Sequence, residues 1–282
     1  MEPAYFVSPR KGFLGWLQNS LANMQLPKQV RRTISARLPF PTLESDVSNI
    51  VYANWNVPLA AVDHLIPPGV KVIDVDGKTI LTILTYAHGH FGPSAAGPLR
   101  RLFPSPLQSN WRLYVQSVAG KKPAKPTVLF LANIFDSDLY AIGTRIFSDV
   151  MHAHRAMDFN HQRRGRSWIT QVNGQGSTPS WEMQTEDVEQ FSLPTAFEPF
   201  FAGYADALQS LCLQEVAIAS VSVINKIAIS EIDLPIDISS IVPLSVSEFM
   251  PGHLLSELGA TNDPFCFRVP KVKFKVLSEA LI

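Results

Sequence analysis

The chain predicts an α+β fold that is mostly antiparallel β, barrel-like, with a few short peripheral helices. Three observations lead there. Short β-branched or alternating runs outnumber the helix-patterned ones. The run from Thr79 to His88 is apolar on both faces, Ile80, Leu84 and Tyr86 against Leu81 and Ile83, as in a strand covered on both sides or curved around an interior. With 282 residues, 46% of them hydrophobic and 17% charged, the chain can bury a large core without a disulfide between Cys212 and Cys266.

Composition excludes some functions. A formal net charge of zero removes the whole-protein electrostatic case for nucleic acid. No apolar run approaches the roughly 20 residues that span a bilayer. The opening MEPAYFVSPRKGF lacks the charged-then-apolar order of a signal peptide, so a cytoplasmic, reducing location is expected. Two regions are expected: 1–45, an amphipathic helix with a basic connector, and 46–282, a β-rich domain.

In order, Gly12 to Gln25 sets Phe13, Trp16, Leu17, Leu21 and Met24 on one helical stripe. It is expected to pack on the body or on a second subunit; flanking basic residues offer a membrane-surface contact as the other reading. Lys28 to Pro41 reads as a basic connector. Ser48 to Asn54 is a strand and Val57 to Leu65 a short helix stopped by Pro67-Pro68-Gly69. Val70 to Val75 and Thr79 to His88 form a hairpin across Asp76-Gly77. Phe91 to Leu107, with four prolines, is a long loop and a candidate lid. Trp111 to Val118 and Thr127 to Asp136 are strands, and Asp138 to Val150 a helix. Trp168 to Asn173 pairs with Ser180 to Gln184. Ala196 to Leu211 is helical, Leu213 to Ile238 supplies two or more strands, and Cys266 to Leu277 another.

From about Ser48 onward the ordered set Trp55–Pro58, LIPPGV, NWRLYV, the apolar strand Val128–Phe135 and Arg145 leading to His152 resembles the DUF2071 family. A further match is the strand around Phe265–Phe274. The resemblance implies the acetoacetate decarboxylase-like fold, a double barrel or cone. That enzyme carries an imine-forming lysine a short spacer beyond an arginine, in a Gly-Phe-Pro-Lys-Lys motif. The same spacer from Arg145 lands here on His152, with no lysine near, and Lys121-Lys122 lies in a polar turn. The segment Phe197 to Pro243 departs from the family pattern. Imine decarboxylation is therefore not expected.

Arg145, Asp149, His152 and His154 form the densest polar set. On a helix, Asp149 and His152 share a side, and a carboxylate beside an imidazole raises its pKa, as for a general base. Arg145 would hold a carboxylate or enolate oxygen. The plainer reading is an Arg145–Asp149 ion pair with both histidines at the surface. His88 and His90, like His152 and His154, form a His-x-His pair that on a strand points one way. Neither pair has a carboxylate at ligand spacing, so no metal is expected and lining a cavity is the assigned role. Asn110, Arg112 and Tyr114 alternate on one strand face, exposed or lining a polar pocket. Lys226 sits in apolar strand sequence as a further candidate amine.

The expected function is a protein with a cavity that binds a small organic acid or ketone. His152, Asp149 and Arg145 would carry cofactor-free acid–base chemistry of the lyase, isomerase or hydratase type. His88, His90, Asn110, Arg112, Tyr114 and His154 would bind the ligand. The alternative is a non-catalytic ligand sensor, or a membrane-surface or partner-binding protein using Gly12–Gln25 for a peripheral membrane or homo-oligomer contact.

Overall fold

The computed structural model describes residues 5–35 and 40–282. Helices α1 (Gly12–Asn23) and α2 (Gln25–Ser35) come first, then strand β1 (Leu43–Pro58), helix α3 (Leu59–Val62) and strands β2 (Val70–Val72), β3 (Lys78–Ala87), β4 (Gly92–Pro93), β5 (Leu107–Val118) and β6 (Thr127–Phe135). Helix α4 (Asp138–Phe147) leads to β7 (Ala153–Arg155), β8 (Asp158–Arg164), β9 (Ser167–Asn173) and β10 (Trp181–Asp187). Helix α5 (Tyr204–Cys212) leads to β11 (Val216–Val221), β12 (Lys226–Asp233), β13 (Val242–Met250), α6 (Gly252–Glu257) and β14 (Phe265–Leu281).

Seven strands close into a ring, β1–β3–β5–β6–β11–β12–β14 and back to β1, antiparallel everywhere except β6–β11. The long β14 makes this possible: it bonds β1 along one edge, and β13 and then β12 along the other. Closure leaves no open edge in the ring. The layer β13–β10–β9–β8 branches from β14, and Trp55 and Trp111 of the ring share an apolar cluster with Trp168 and Trp181 of that layer.

Registered neighbours identify one continuous ring face: Phe267–Tyr52, Tyr52–Leu84, Thr82–Arg112, Tyr114–Val128, Val128–Ala217 and Ala219–Ala228. Phe267, Tyr52, Leu84, Tyr114, Val128, Ala217, Ala219 and Ala228, from all seven strands, join one apolar cluster, and this face is taken as the interior. Small side chains at Ala217, Ala219, Ala228 and Ser230 leave it room for the aromatic residues opposite.

Several expectations change. The basic connector is helical as far as Ser35; its continuation at 36–39 lies outside the described residues. The Asp76-Gly77 turn forms, with Asp76 at φ 53° and Gly77 at φ 75°, but β2 pairs with β5 rather than β3. The expected lid is pinned: Ser94–Leu102 forms two short 3-10 turns broken at Gly97 (φ 50°), and Arg100 binds Glu44, Asp46 and the His90 carbonyl. Only Tyr204–Cys212 of the expected Ala196–Leu211 helix is α-helical. Lys226 is exposed, because Asn225 turns left-handed (φ 50°) just before it and starts β12 at the surface.

Helix α1 lies in its expected place but the other way round. It buries Gly15, Gln18 and Ala22 and exposes Phe13, Leu14 and Trp16. The cause is the extended segment from Phe6 to Arg10, which lies against its polar side. Asn19 Oδ1 accepts from the Ser8 amide at 2.7 Å, Asn23 Oδ1 accepts from the Phe6 amide at 3.0 Å, and Gln18 Oε1 accepts from the Ser8 hydroxyl at 2.6 Å. Satisfying that buried backbone turns the apolar stripe outward.

Candidate functional site

Two buried polar groups lie apart from one another, and the residues nominated from sequence divide between them. The first is the seam where α2 packs on α4. Helix α4 ends at Phe147, so Asp149 and His152 are beyond it and do not share a helical face. The Asp149 carboxylate accepts from Arg32 Nε at 2.9 Å and Nη2 at 2.6 Å, and pairs with Arg31. Arg31 also meets Glu279 at 3.0 Å. Although burial works to raise the Asp149 pKa, the Arg32 hydrogen bonds and the Arg31 charge hold it below the ordinary range. The carboxylate is thus committed to arginines from α2.

His152 consequently has no orienting carboxylate of its own. Burial, then Arg145 and Lys28, lower its pKa to about 3, the reverse of the rise expected from an Asp149 partner. Arg145 is buried and donates from Nη1 to the Ala153 carbonyl at 3.1 Å, with its guanidinium 5.7 Å over the Phe6 ring. It ties α1, α4 and β7 together and forms no Arg145–Asp149 pair. His154 is buried, with Nδ1 2.7 Å from the Ser177 hydroxyl.

Sequence reasoning missed Lys28. It is buried on the inner side of α2, and burial, then Arg145, Arg32 and Arg31, lower its pKa to about 8 against the opposing pull of Asp149. The only signal was its place in a basic stretch, which reads equally well as a solvated connector.

The second group lines the ring interior. Gln108, Asn110, Arg112 and Tyr114 alternate along β5, and all four are buried, which decides between the two faces left open by the sequence. His88 bonds Ser45 through Nδ1 (2.8 Å) and Gln108 through Nε2 (2.7 Å); Gln108 and Asn110 both donate to Asn133 Oδ1 at 2.8 Å. Burial lowers the His88 pKa to about 4, so the ring is neutral. β3 ends at Ala87 and His90 has φ 54°, so the two rings of that pair do not extend one strand face. Among the described residues no group of three or more His, Cys, Asp or Glu is placed to hold a metal.

Arg112 is the centre of this group. Its Nη2 donates to the Leu211 carbonyl at 2.7 Å, on the last turn of α5, and its guanidinium lies 5.4 Å from the Tyr52 ring and 5.5 Å from the Tyr114 ring. The Tyr114 hydroxyl donates to Leu211 O at 3.2 Å and meets Thr82 Oγ1, which donates to Asn54. Arg112 forms no ion pair with any described residue, and its Nε is buried without a hydrogen-bond partner. The Tyr52 hydroxyl lies near the guanidinium and Cys212 but meets neither in hydrogen-bonding geometry. Burial raises the pKa of Tyr52 and Tyr114 and pushes the Cys212 thiol up to about 12, so all three are neutral.

The comparisons with known proteins follow this geometry. The DUF2071 family model, of an uncharacterised conserved protein, matches residues 44–203. The chain belongs to the DUF2071 family. No curated protein matches it by sequence. Among solved structures, it is similar to the enduracididine biosynthesis enzyme MppR complexed with pyruvate, at 12% identity and TM-score 0.57, covering 86% of this chain and 91% of that one. It is similar to an acetoacetate decarboxylase-like enzyme from Sphingomonas wittichii RW1 (7% identity, TM-score 0.56, 86% and 94% covered). Acetoacetate decarboxylase itself gives 7% identity and TM-score 0.51 over 87% and 90%. At these identities the likeness establishes the fold, acetoacetate decarboxylase-like and mostly antiparallel, as the family resemblance implied. No helix among the described residues is long and apolar enough to cross a membrane.

Proposed function

We propose that this DUF2071 protein binds a small organic acid, such as a 2-oxo acid, inside the ring, with the carboxylate on Arg112. One observation carries the reading: a buried guanidinium with no acidic partner among the described residues, one of whose donors is unmet. A buried charge without a counter-ion costs several kcal/mol, and an anionic ligand at Nε would remove that cost. The Tyr52 hydroxyl would supply a second contact, and Asn110 and Tyr114 would line the approach. The structural relative MppR, solved in complex with pyruvate, supports the ligand class.

The same geometry argues for binding over turnover at this site. A general acid or base works best with a pKa near the working pH, and Tyr52, Tyr114, Cys212 and His88 are all held far from it in their neutral forms. The test is titration calorimetry with pyruvate, acetoacetate and benzoate on wild type, Arg112→Met and Tyr52→Phe. A carboxylate that binds wild type, binds Tyr52→Phe about tenfold more weakly and is lost in Arg112→Met supports the reading. Binding unchanged in both variants sinks it.

A second reading rests on Lys28, the group tuned nearest to neutrality. Its amine, with His152 beside it, would carry chemistry on a ketone at the α2 seam. Borohydride trapping with pyruvate separates the two, because only this reading predicts a covalent adduct on Lys28.

A further inference from the structure

The polar group around His88 ends on a donor that no described residue takes up. Asn133 is 1% exposed, and its Nδ2 is buried without a hydrogen-bond partner among the described residues. A directed chain of bonds turns that nitrogen inward, and it starts at Ser45. The Gly89 amide donates to Ser45 Oγ at 3.3 Å, and the Ser45 proton goes to the nearer of two acceptors, His88 Nδ1 at 2.8 Å rather than the Gly89 carbonyl at 3.4 Å. The neutral ring then carries its own proton on Nε2 and donates to Gln108 Oε1 at 2.7 Å. That leaves Gln108 Nε2 to donate to Asn133 Oδ1, which also accepts from Asn110 Nδ2, both at 2.8 Å. With its oxygen taken twice, the Asn133 amide has only N–H groups left to offer.

That donor belongs to the same interior as Arg112. Asn133 and Asn110 are registered partners on β6 and β5, and Asn110 precedes Arg112 by two positions on one strand face, about 7 Å along the strand. Tyr86 connects the two from β3: it is registered with Gln108, and the Arg112 charge opposes the rise that burial gives its pKa. A short acid carrying an oxygen a few atoms from its carboxylate can meet both donors. The character of that oxygen follows from its surroundings. Ser45, Gln108, Asn110 and Asn133 are uncharged, and burial holds His88 neutral. A second carboxylate there would be buried without a counter-ion, whereas an oxo or hydroxyl oxygen needs only the amide. We propose that Asn133 is the specificity-determining residue of the interior site, donating to an uncharged oxygen of an acid whose carboxylate lies on Arg112. The inference rests on the Arg112 reading and adds to it the end of the ligand that Arg112 does not touch.

Three acids test it by titration calorimetry on the full chain: levulinate (4-oxopentanoate), pentanoate, which lacks the oxo group, and succinate, which replaces the acetyl group by a second carboxylate. Wild type should bind levulinate about tenfold more tightly than either of the others. In Asn133→Leu the preference for levulinate over pentanoate should disappear, and in Arg112→Met all binding should be lost. Because Asn133→Leu also strips an acceptor from Gln108 and Asn110, a second measurement uses wild type alone. The infrared stretch of levulinate labelled with carbon-13 at its oxo group should move to lower frequency on binding, as the carbonyl accepts the amide hydrogen bond. Levulinate and pentanoate bound equally by wild type and both lost in Arg112→Met would overturn the role of Asn133 and leave Arg112 in place. An unshifted carbonyl stretch, or an oxo preference that survives in Asn133→Leu, would overturn it as well. If none of the three binds wild type, or if Arg112→Met binds levulinate as wild type does, the Arg112 reading and this inference fall together.

Discussion

The α2 seam and the ring interior are both buried and both basic, yet among the described residues only the seam sets carboxylates against its arginines. In the seam, Arg31 and Arg32 meet Asp149, and Arg31 also meets Glu279. In the interior, Arg112 meets one carbonyl, a tyrosine hydroxyl and two aromatic rings. An arginine already bonded to a carboxylate has little to gain from a further anion, whereas a buried arginine with no counter-ion among the described residues has much to gain. The seam therefore reads as a clasp for the N-terminal helices, and the interior as the place for a ligand.

The largest effect should come from breaking the clasp. Asp149→Asn leaves two largely buried guanidinium groups short of a carboxylate and should cost about 3–5 kcal/mol in urea unfolding. If the loss is under about 1 kcal/mol, the seam is not the anchor described here. Acid should have the next largest effect. His88, His152 and His161 have pKa values lowered to about 4, 3 and 4, burial being the main cause in each. The unfolded chain takes up these protons near pH 6.5 and the native state does not. The stability they contribute is thus complete above pH 6.5 and is lost as pH falls through their native values, toward 4 and below. Replacing His161 by Gln should flatten part of that fall.

A smaller effect of opposite sign is expected at Lys28. Its pKa is lowered from 10.5 to about 8, so the charged amine is the form the fold disfavours, and native stability should rise between pH 8 and 10.5 as the unfolded chain holds the extra proton. Lys28→Met removes a buried charge and should stabilise by about 1–2 kcal/mol at pH 7 while abolishing that alkaline rise. A destabilised variant would mean that Lys28 has a stronger role in the clasp than its lack of an ion pair among the described residues suggests.

The sequence was informative where local pattern and tertiary structure agree. The two-sided apolar run of β3 marked a strand covered on both sides or curved around an interior, and both of its faces are buried in the ring; the alternation of Asn110, Arg112 and Tyr114 placed them on one face. It was silent where a partner lies far away in the chain. Asp149 lies three residues from His152, but its bonds go to Arg32, 117 positions earlier. The apolar stripe of α1 was legible, but its direction was not, because that depends on Asn19 and Asn23 bonding the backbone of residues 6–8. Lys226 looked interior because nothing in its apolar surroundings announces the left-handed turn at Asn225.

The central claim is that Arg112 is an unanswered charge and not a pin for α5. Those alternatives part in one experiment, melting of wild type and Arg112→Met with and without the carboxylate that binds best. An unanswered charge predicts a variant at least as stable as ligand-free wild type, and a ligand-induced rise of a few kcal/mol in wild type alone. A variant that loses about 3 kcal/mol or more, while the ligand still stabilises it as it does wild type, would make Arg112 the structural cap of α5 and move the ligand elsewhere.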